Sequence, residues 1–175
     1  VLRRHAALLS DAGVDFLIFD TTNAVIYEDV VLRLCEVFDQ QRKAGDPVPQ
    51  IAFMVNTQAG HTAQRIYELF YKPGRYPDLW FRWQGKPLLL CDAAEASKDV
   101  ADFFTLRKAH WPFELVNTHN AWHWEATYPQ VYSYDRDSSV PEQVNVSVGQ
   151  NLHWKTTRVE IDRKSTRLNS SHVSQ

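Results

Sequence analysis

The residues best suited to chemistry crowd one stretch, Asn117-Thr118-His119-Asn120-Ala121-Trp122-His123-Trp124-Glu125-Ala126-Thr127-Tyr128. Aromatic rings, two histidines and a carboxylate in one loop rarely build a core. Aromatic faces stack on the apolar C–H faces of sugar rings, while amides and imidazoles hydrogen-bond hydroxyl groups. A carboxylate set beside tryptophan is desolvated, which raises its pKa toward the range of a general acid. Glu125 is therefore the expected acid or base, with Asn117, His119, Trp122, His123, Trp124 and Tyr128 as expected substrate contacts. Packing under a long loop is the competing role for Trp122 and Trp124. His119 and His123 lack a companion cluster of His, Cys or Asp at ligand spacing, so no metal is expected.

Cleaving a glycosidic bond normally takes two carboxylates. Asp20 ends the most regular apolar run in the chain, Val14-Asp15-Phe16-Leu17-Ile18-Phe19-Asp20, and is the first candidate partner. Asp92, after Leu88-Leu89-Leu90-Cys91, is the second. A structural Asp20, bonded to its own turn through Thr21-Thr22, is the competing reading. Asn23 and Asn56 also follow strand patterns and are expected to contact substrate, and Asn145 or Gln150 would end a later strand.

The elements that must position these residues alternate. A helix pattern from Leu2 to Leu9 ends at Ala12-Gly13, and the buried strand 14–20 follows. Tyr27, Val30, Val31, Leu34 and Phe38 share one helical face, which predicts a helix over about 25–44. A second unit starts with Ile51-Ala52-Phe53-Met54-Val55-Asn56, followed by a helix from Thr62 to Tyr71 that Lys72-Pro73-Gly74 stops. Leu79 to Trp83, the turn Gln84-Gly85, and Leu88 to Asp92 read as strand, glycine turn and buried strand. Ser97 caps a helix carrying Val100, Phe103, Phe104 and Leu106. A fourth core strand is expected at Phe113 to Asn117 and a fifth at Gln143 to Gln150.

Strands alternating with helices imply parallel pairing with right-handed crossovers. No glycine-rich phosphate loop follows any strand, and no G-x-S-x-G elbow is present, so nucleotide-binding and serine-hydrolase readings lose their support. The expected fold is α/β: a partial (β/α)8 TIM barrel with parallel strands, about half of it present. In such a barrel Asp20, Asn56, Asp92, Asn117 and Glu125 gather at the carboxyl ends of the strands.

Three segments carry a family resemblance: Gly13-Val14-Asp15-Phe16-Leu17-Ile18-Phe19-Asp20, Trp83-Gln84-Gly85-Lys86-Pro87-Leu88, and Trp122-His123-Trp124-Glu125. In this order they are similar to glycoside hydrolases of the family 71 and 99-like barrels, over about residues 1–151. The resemblance implies a (β/α)-barrel glycosidase acting on a poly- or oligosaccharide by carboxylate acid/base catalysis, without an organic cofactor. Its loop typically reads N-E-W-H-E. Here Ala121 precedes Trp122 and Trp124 stands before Glu125, so Glu125 inherits a role while the other carboxylate has no counterpart. A non-catalytic carbohydrate-binding barrel is the alternative that this departure supports.

Composition agrees with a folded domain. Of 175 residues, 44% are hydrophobic and 23% charged, and the net charge of −2 asks for no nucleic-acid partner. No apolar run is long enough to cross a membrane. Cys35 and Cys91 lie in apolar stretches and read as buried thiols. The aromatic share, 13%, demands a core or a ligand to explain it. The chain opens on Val1 in mid-helix, so its start is expected to be missing, and a lost leader would make it secreted or periplasmic. Residues 162–175 have no apolar period and resemble a translated sequencing adapter. They are set aside as a non-native or disordered tail, leaving 1–161 as the partial barrel.

Overall fold

A computed structural model describes residues 1–110, 119–124 and 131–146. The chain divides into two units, Val1–Arg107 and Lys108–Gln175. In the first, α1 (Leu2–Asp11) leads through Gly13, whose φ of 79° is the left-handed cap conformation, into β1 (Phe16–Thr21). α2 (Glu28–Lys43) carries Glu28 and Asp29 in its first turn and Arg42 and Lys43 in its last, complementing the helix dipole at both ends. β2 (Gln50–Val55) and α3 (Ala59–Ile66) follow, and α3 continues as a π turn over Tyr67–Tyr71.

A short 3-10 turn, Pro77–Leu79, precedes the hairpin of β3 (Arg82–Trp83) and β4 (Lys86–Leu90). Its two linking residues, Gln84 (φ 53°) and Gly85 (φ 85°), are both left-handed, as a two-residue turn matched to strand twist requires. Ser97 then caps α4 (Lys98–Phe103), its Oγ accepting from the Val100 N–H, and β5 (Thr105–His110) follows.

β1 pairs in parallel with β2, β2 with β4, and β4 with β5, while β3 lies antiparallel on β4. In the second unit the latter half of β5 pairs in parallel with β6 (Ala121–His123), and β7 (Tyr132–Ser133) pairs antiparallel with β8 (Gln143–Val144). The fold is α/β with a mostly parallel sheet of six strands, ordered β1-β2-β4-β5-β6 with β3 on β4. Among the described residues this sheet does not close into a barrel.

The core of the first unit lies between the helices and one face of the strands, where Ile51, Phe53, Val55, Leu89 and Cys91 meet Val31, Phe38, Ile66 and Phe70. Burying a side chain of this size contributes about 1.5–3 kcal/mol. Much of the aromatic content is spent here: Phe53, Phe70, Tyr71, Trp80 and Phe104 form a contiguous cluster with centroids 4.5 to 6.3 Å apart. Cys35 and Cys91 are free and buried, and burial pushes both thiols up to about 12.

Several expectations need correction. The strand 14–20 is half-buried rather than buried, since β1 has only one neighbour among the described residues and Ile18 is 40% exposed. The predicted strand 79–83 shrinks to Arg82–Trp83 behind the 3-10 turn. The helix after Ser97 stops at Phe103, and Leu106 belongs to β5, a core strand absent from the sequence reading. Of the strand expected at Gln143 to Gln150, the described residues show the two-residue β8, antiparallel to β7 rather than part of the parallel set, and residues 147–150 lie outside them. The strand expected at 113–117 and the tail 162–175 lie outside the described residues.

Candidate functional site

Parallel pairing sets the carboxyl ends of β1, β2 and β4 side by side. Asp20 is the penultimate residue of β1, Asn56 directly follows β2, and Asp92 follows β4 after Cys91. Asp20, Asn23, Asn56 and Asp92 thus belong to one end of the first unit's sheet, as expected of parallel units. Asn117, Glu125 and Tyr128 lie outside the described residues, and His119, Trp122, His123 and Trp124 belong to the second unit.

Asp20, Asn23 and Asp92 each organise their own turn. Thr22 donates to Asp20 Oδ1 from its backbone N–H (3.0 Å) and its hydroxyl (2.6 Å). The Val25 N–H donates to Asn23 Oδ1 at 3.0 Å, and Asn23 Nδ2 donates to the Tyr27 hydroxyl at 3.0 Å. The Ala94 N–H donates to Asp92 Oδ1 at 2.9 Å. These are Asx turns, in which a short side chain satisfies the backbone N–H two residues on. The structural role foreseen for Asp20 is therefore present, yet its Oδ2 carries no bond among the described residues.

The loops carrying these turns are tied together. The Thr57 N–H donates to the Thr22 carbonyl (2.9 Å), joining the segments after β1 and β2, and the buried Thr21 hydroxyl donates to the Met54 carbonyl (2.7 Å). A Cβ on Gly60 would stand 2.2 Å from the Glu95 carbonyl oxygen, so only glycine lets the start of α3 approach the loop after β4. Tyr27 and Gln58, which start α2 and α3, both hold left-handed φ (54° and 50°), uncommon for side chains of their size.

One residue of this sheet escaped the sequence reading. The register Asp20↔Met54, Met54↔Leu90 and Leu90↔Arg107 runs across the sheet and puts Arg107 on the row that begins with Asp20. Arg107 is 3% exposed, and its Nη1 donates to the Leu106 carbonyl at 2.8 Å. A guanidinium is costly to bury without hydrogen-bonding partners, and the Leu106 carbonyl is one of those that hold it. Extending the preceding helix through Leu106 hid it. A short cap-to-strand interval, with Thr105 beginning a new run, is the signal that would have found it.

The second unit holds His119, Trp122, His123 and Trp124. Trp122 is buried, and its Nε1 donates to Glu142 Oε2 at 3.0 Å, the arrangement of a packed indole rather than an open stacking platform. Gln143 clips β6 in place: its Oε1 accepts from the His123 N–H (3.0 Å) and the Ser133 hydroxyl (2.7 Å), and its Nε2 donates to the His123 carbonyl (3.0 Å). Trp124 is half-buried, with its carbonyl accepting from Asn145 Nδ2. His119 forms a bridge to Tyr134.

His123 stands in register with His110 of β5, their ring centroids 5.9 Å apart and their planes near perpendicular. Burial, opposed by the bond to the Val131 carbonyl and aided by His110, holds the His123 imidazole below its ordinary pKa. No family model, no curated protein and no solved structure matches the chain. No helix among the described residues is long and apolar enough to cross a membrane, and no group of three or more His, Cys, Asp or Glu among them is placed to hold a metal.

Proposed function

We propose that the chain is part of a (β/α)8-barrel glycoside hydrolase acting on a poly- or oligosaccharide, with Glu125 and Asp20 as its carboxylate pair and no organic cofactor. The observation that supports this reading most is the clustering of Asp20, Asn23, Asn56 and Asp92 at the carboxyl ends of adjacent parallel strands, where barrel enzymes build their sites. Thr22 fixes one oxygen of Asp20 and leaves the other without a bond among the described residues, which suits an oriented base or nucleophile. The resemblance in the Trp122-His123-Trp124-Glu125 segment adds the acid.

Turnover by the complete reading frame that contains this chain tests the reading, with reducing-sugar release measured on α-mannan and α-glucan oligosaccharides. Glu125→Gln keeps size and hydrogen-bonding shape but cannot carry the proton, so hydrolysis should fall by about 10²- to 10⁴-fold while glycan affinity is largely kept. Asp20→Asn should do the same if the pair is as proposed. The Asx turns favour a second reading, a barrel that binds carbohydrate without cleaving it. Affinity without turnover in the unsubstituted protein would select that one, and neither affinity nor turnover would overturn both.

A further inference from the structure

We propose that His110 and His123 form a two-histidine site for a divalent transition metal such as Zn2+ or Cu2+. The pair was invisible in the sequence, because thirteen positions separate residues that β5–β6 pairing brings into register. Three features of the second unit carry the proposal.

The first is spacing. With metal–nitrogen bonds of about 2.0–2.1 Å, two imidazoles on one ion hold their ring centres roughly 5–6 Å apart. The observed centroids are 5.9 Å apart, with the rings at 87°.

The second is orientation. His123 Nδ1 lies 3.2 Å from the Val131 carbonyl, which can only accept, so the proton sits on Nδ1 and Nε2 presents its lone pair. Among the described residues Nε2 accepts no hydrogen bond. A backbone carbonyl bonded to one ring nitrogen is the usual way a metal-ligating histidine is held in tautomer and direction. The Gln143 side chain, bonded to both the N–H and the carbonyl of His123, fixes the backbone beneath it.

The third is ligand type. Both rings are 8% exposed, so the pair is shielded from bulk water, and imidazole binds metal in its neutral form. Imidazole pairs suit zinc, copper and nickel rather than magnesium or calcium. With two protein ligands the remaining positions would be taken by water, leaving an open site. Lys108 lies on the same face of β5, and its charge opposes a cation there, so moderate rather than tight binding is expected.

Calorimetric titration of the full chain with Zn2+ at pH 7.5 should show one equivalent bound. His110→Gln and His123→Gln should each weaken it by about tenfold or more, whereas His119→Gln should not. Affinity should fall as pH drops far enough for protons to compete with the metal for the imidazoles. Should the glutamine variants fail to fold, Cu2+ on the unsubstituted chain gives a separate readout: its electron paramagnetic resonance spectrum should show coupling to two imidazole nitrogens. No binding at millimolar Zn2+, binding indifferent to both substitutions in folded variants, or a spectrum without paired nitrogen coupling would overturn the site. None of these measurements depends on glycan hydrolysis, so the site stands or falls apart from the proposed function.

Discussion

The Tyr71 hydroxyl has no hydrogen-bond partner among the described residues, although its ring packs within 4.5 Å of Trp80 and 4.7 Å of Phe104, centroid to centroid. A buried polar group left unpaired costs about 1–3 kcal/mol, so Tyr71→Phe, which keeps the ring, should stabilise the fold by up to that amount. A rise in the denaturant midpoint with unchanged slope checks this, and a fall would mean the hydroxyl is bonded. His123 yields a pH dependence. Its pKa is lower in the folded chain than the ordinary 6.5, so above 6.5 both states are neutral and its contribution is constant. As pH falls through 6.5 the unfolded chain takes up a proton that the folded chain refuses, and stability drops until the folded pKa is passed. Thermal melts between pH 8 and 5 should show this loss, and His123→Gln should flatten it. Strand-end side chains were legible as polar and well placed. What the sequence did not disclose is that Asp20, Asn23 and Asp92 each spend an oxygen on their own turn, since an Asx turn and a binding carboxylate use the same residue types.

Elements with strong local signals matched the reading, and those decided by pairing did not. The periodic face of Val31, Leu34 and Phe38 marks α2, and Ser97 marks the start of α4, because caps and helical stripes act within a few residues. β5 was lost because Thr105-Leu106-Arg107-Lys108-Ala109-His110 lacks an apolar run. Its strand identity comes from β4 on one side, through Leu88↔Thr105, Leu89↔Leu106 and Leu90↔Arg107, and not from its own composition. The approach of α3 to the loop after β4 is likewise set by one contact, at Gly60. Gly60→Ala would ordinarily strengthen a helix by up to about 1 kcal/mol. Here the new Cβ would lie 2.2 Å from the backbone oxygen of Glu95, which cannot rotate away. The clash should dominate, at about 1–3 kcal/mol of destabilisation, lowering the melting temperature by several degrees. A melt equal to or above that of the unsubstituted chain would show that the two segments part freely.

At the scale of the whole molecule, the alternation of strand and helix was readable and gave a parallel α/β sheet, whereas closure was not, because a barrel and an open sheet share the same local pattern. The pairing of β1 shows where this matters. Among the described residues β2 is the one strand that pairs with β1, which stands at the edge of the sheet. Beside that edge Leu2, Leu17, Phe19, Val30 and Leu34 line an apolar groove, with Val30 60% exposed, and Ile18 on the opposite face is 40% exposed. An open, apolar strand edge is a template for pairing with another chain, and natural edges are commonly protected by an inserted lysine. The 175-residue chain should therefore self-associate at micromolar to millimolar concentration. Ile18→Lys should suppress this, at a stability cost of only about 0.5 kcal/mol given the exposure already present. Sedimentation velocity over a concentration series separates the outcomes. A monomeric unsubstituted chain throughout would show that the edge is already protected. Association that Ile18→Lys leaves unchanged would move the contact to the groove, where Val30→Lys should then abolish it.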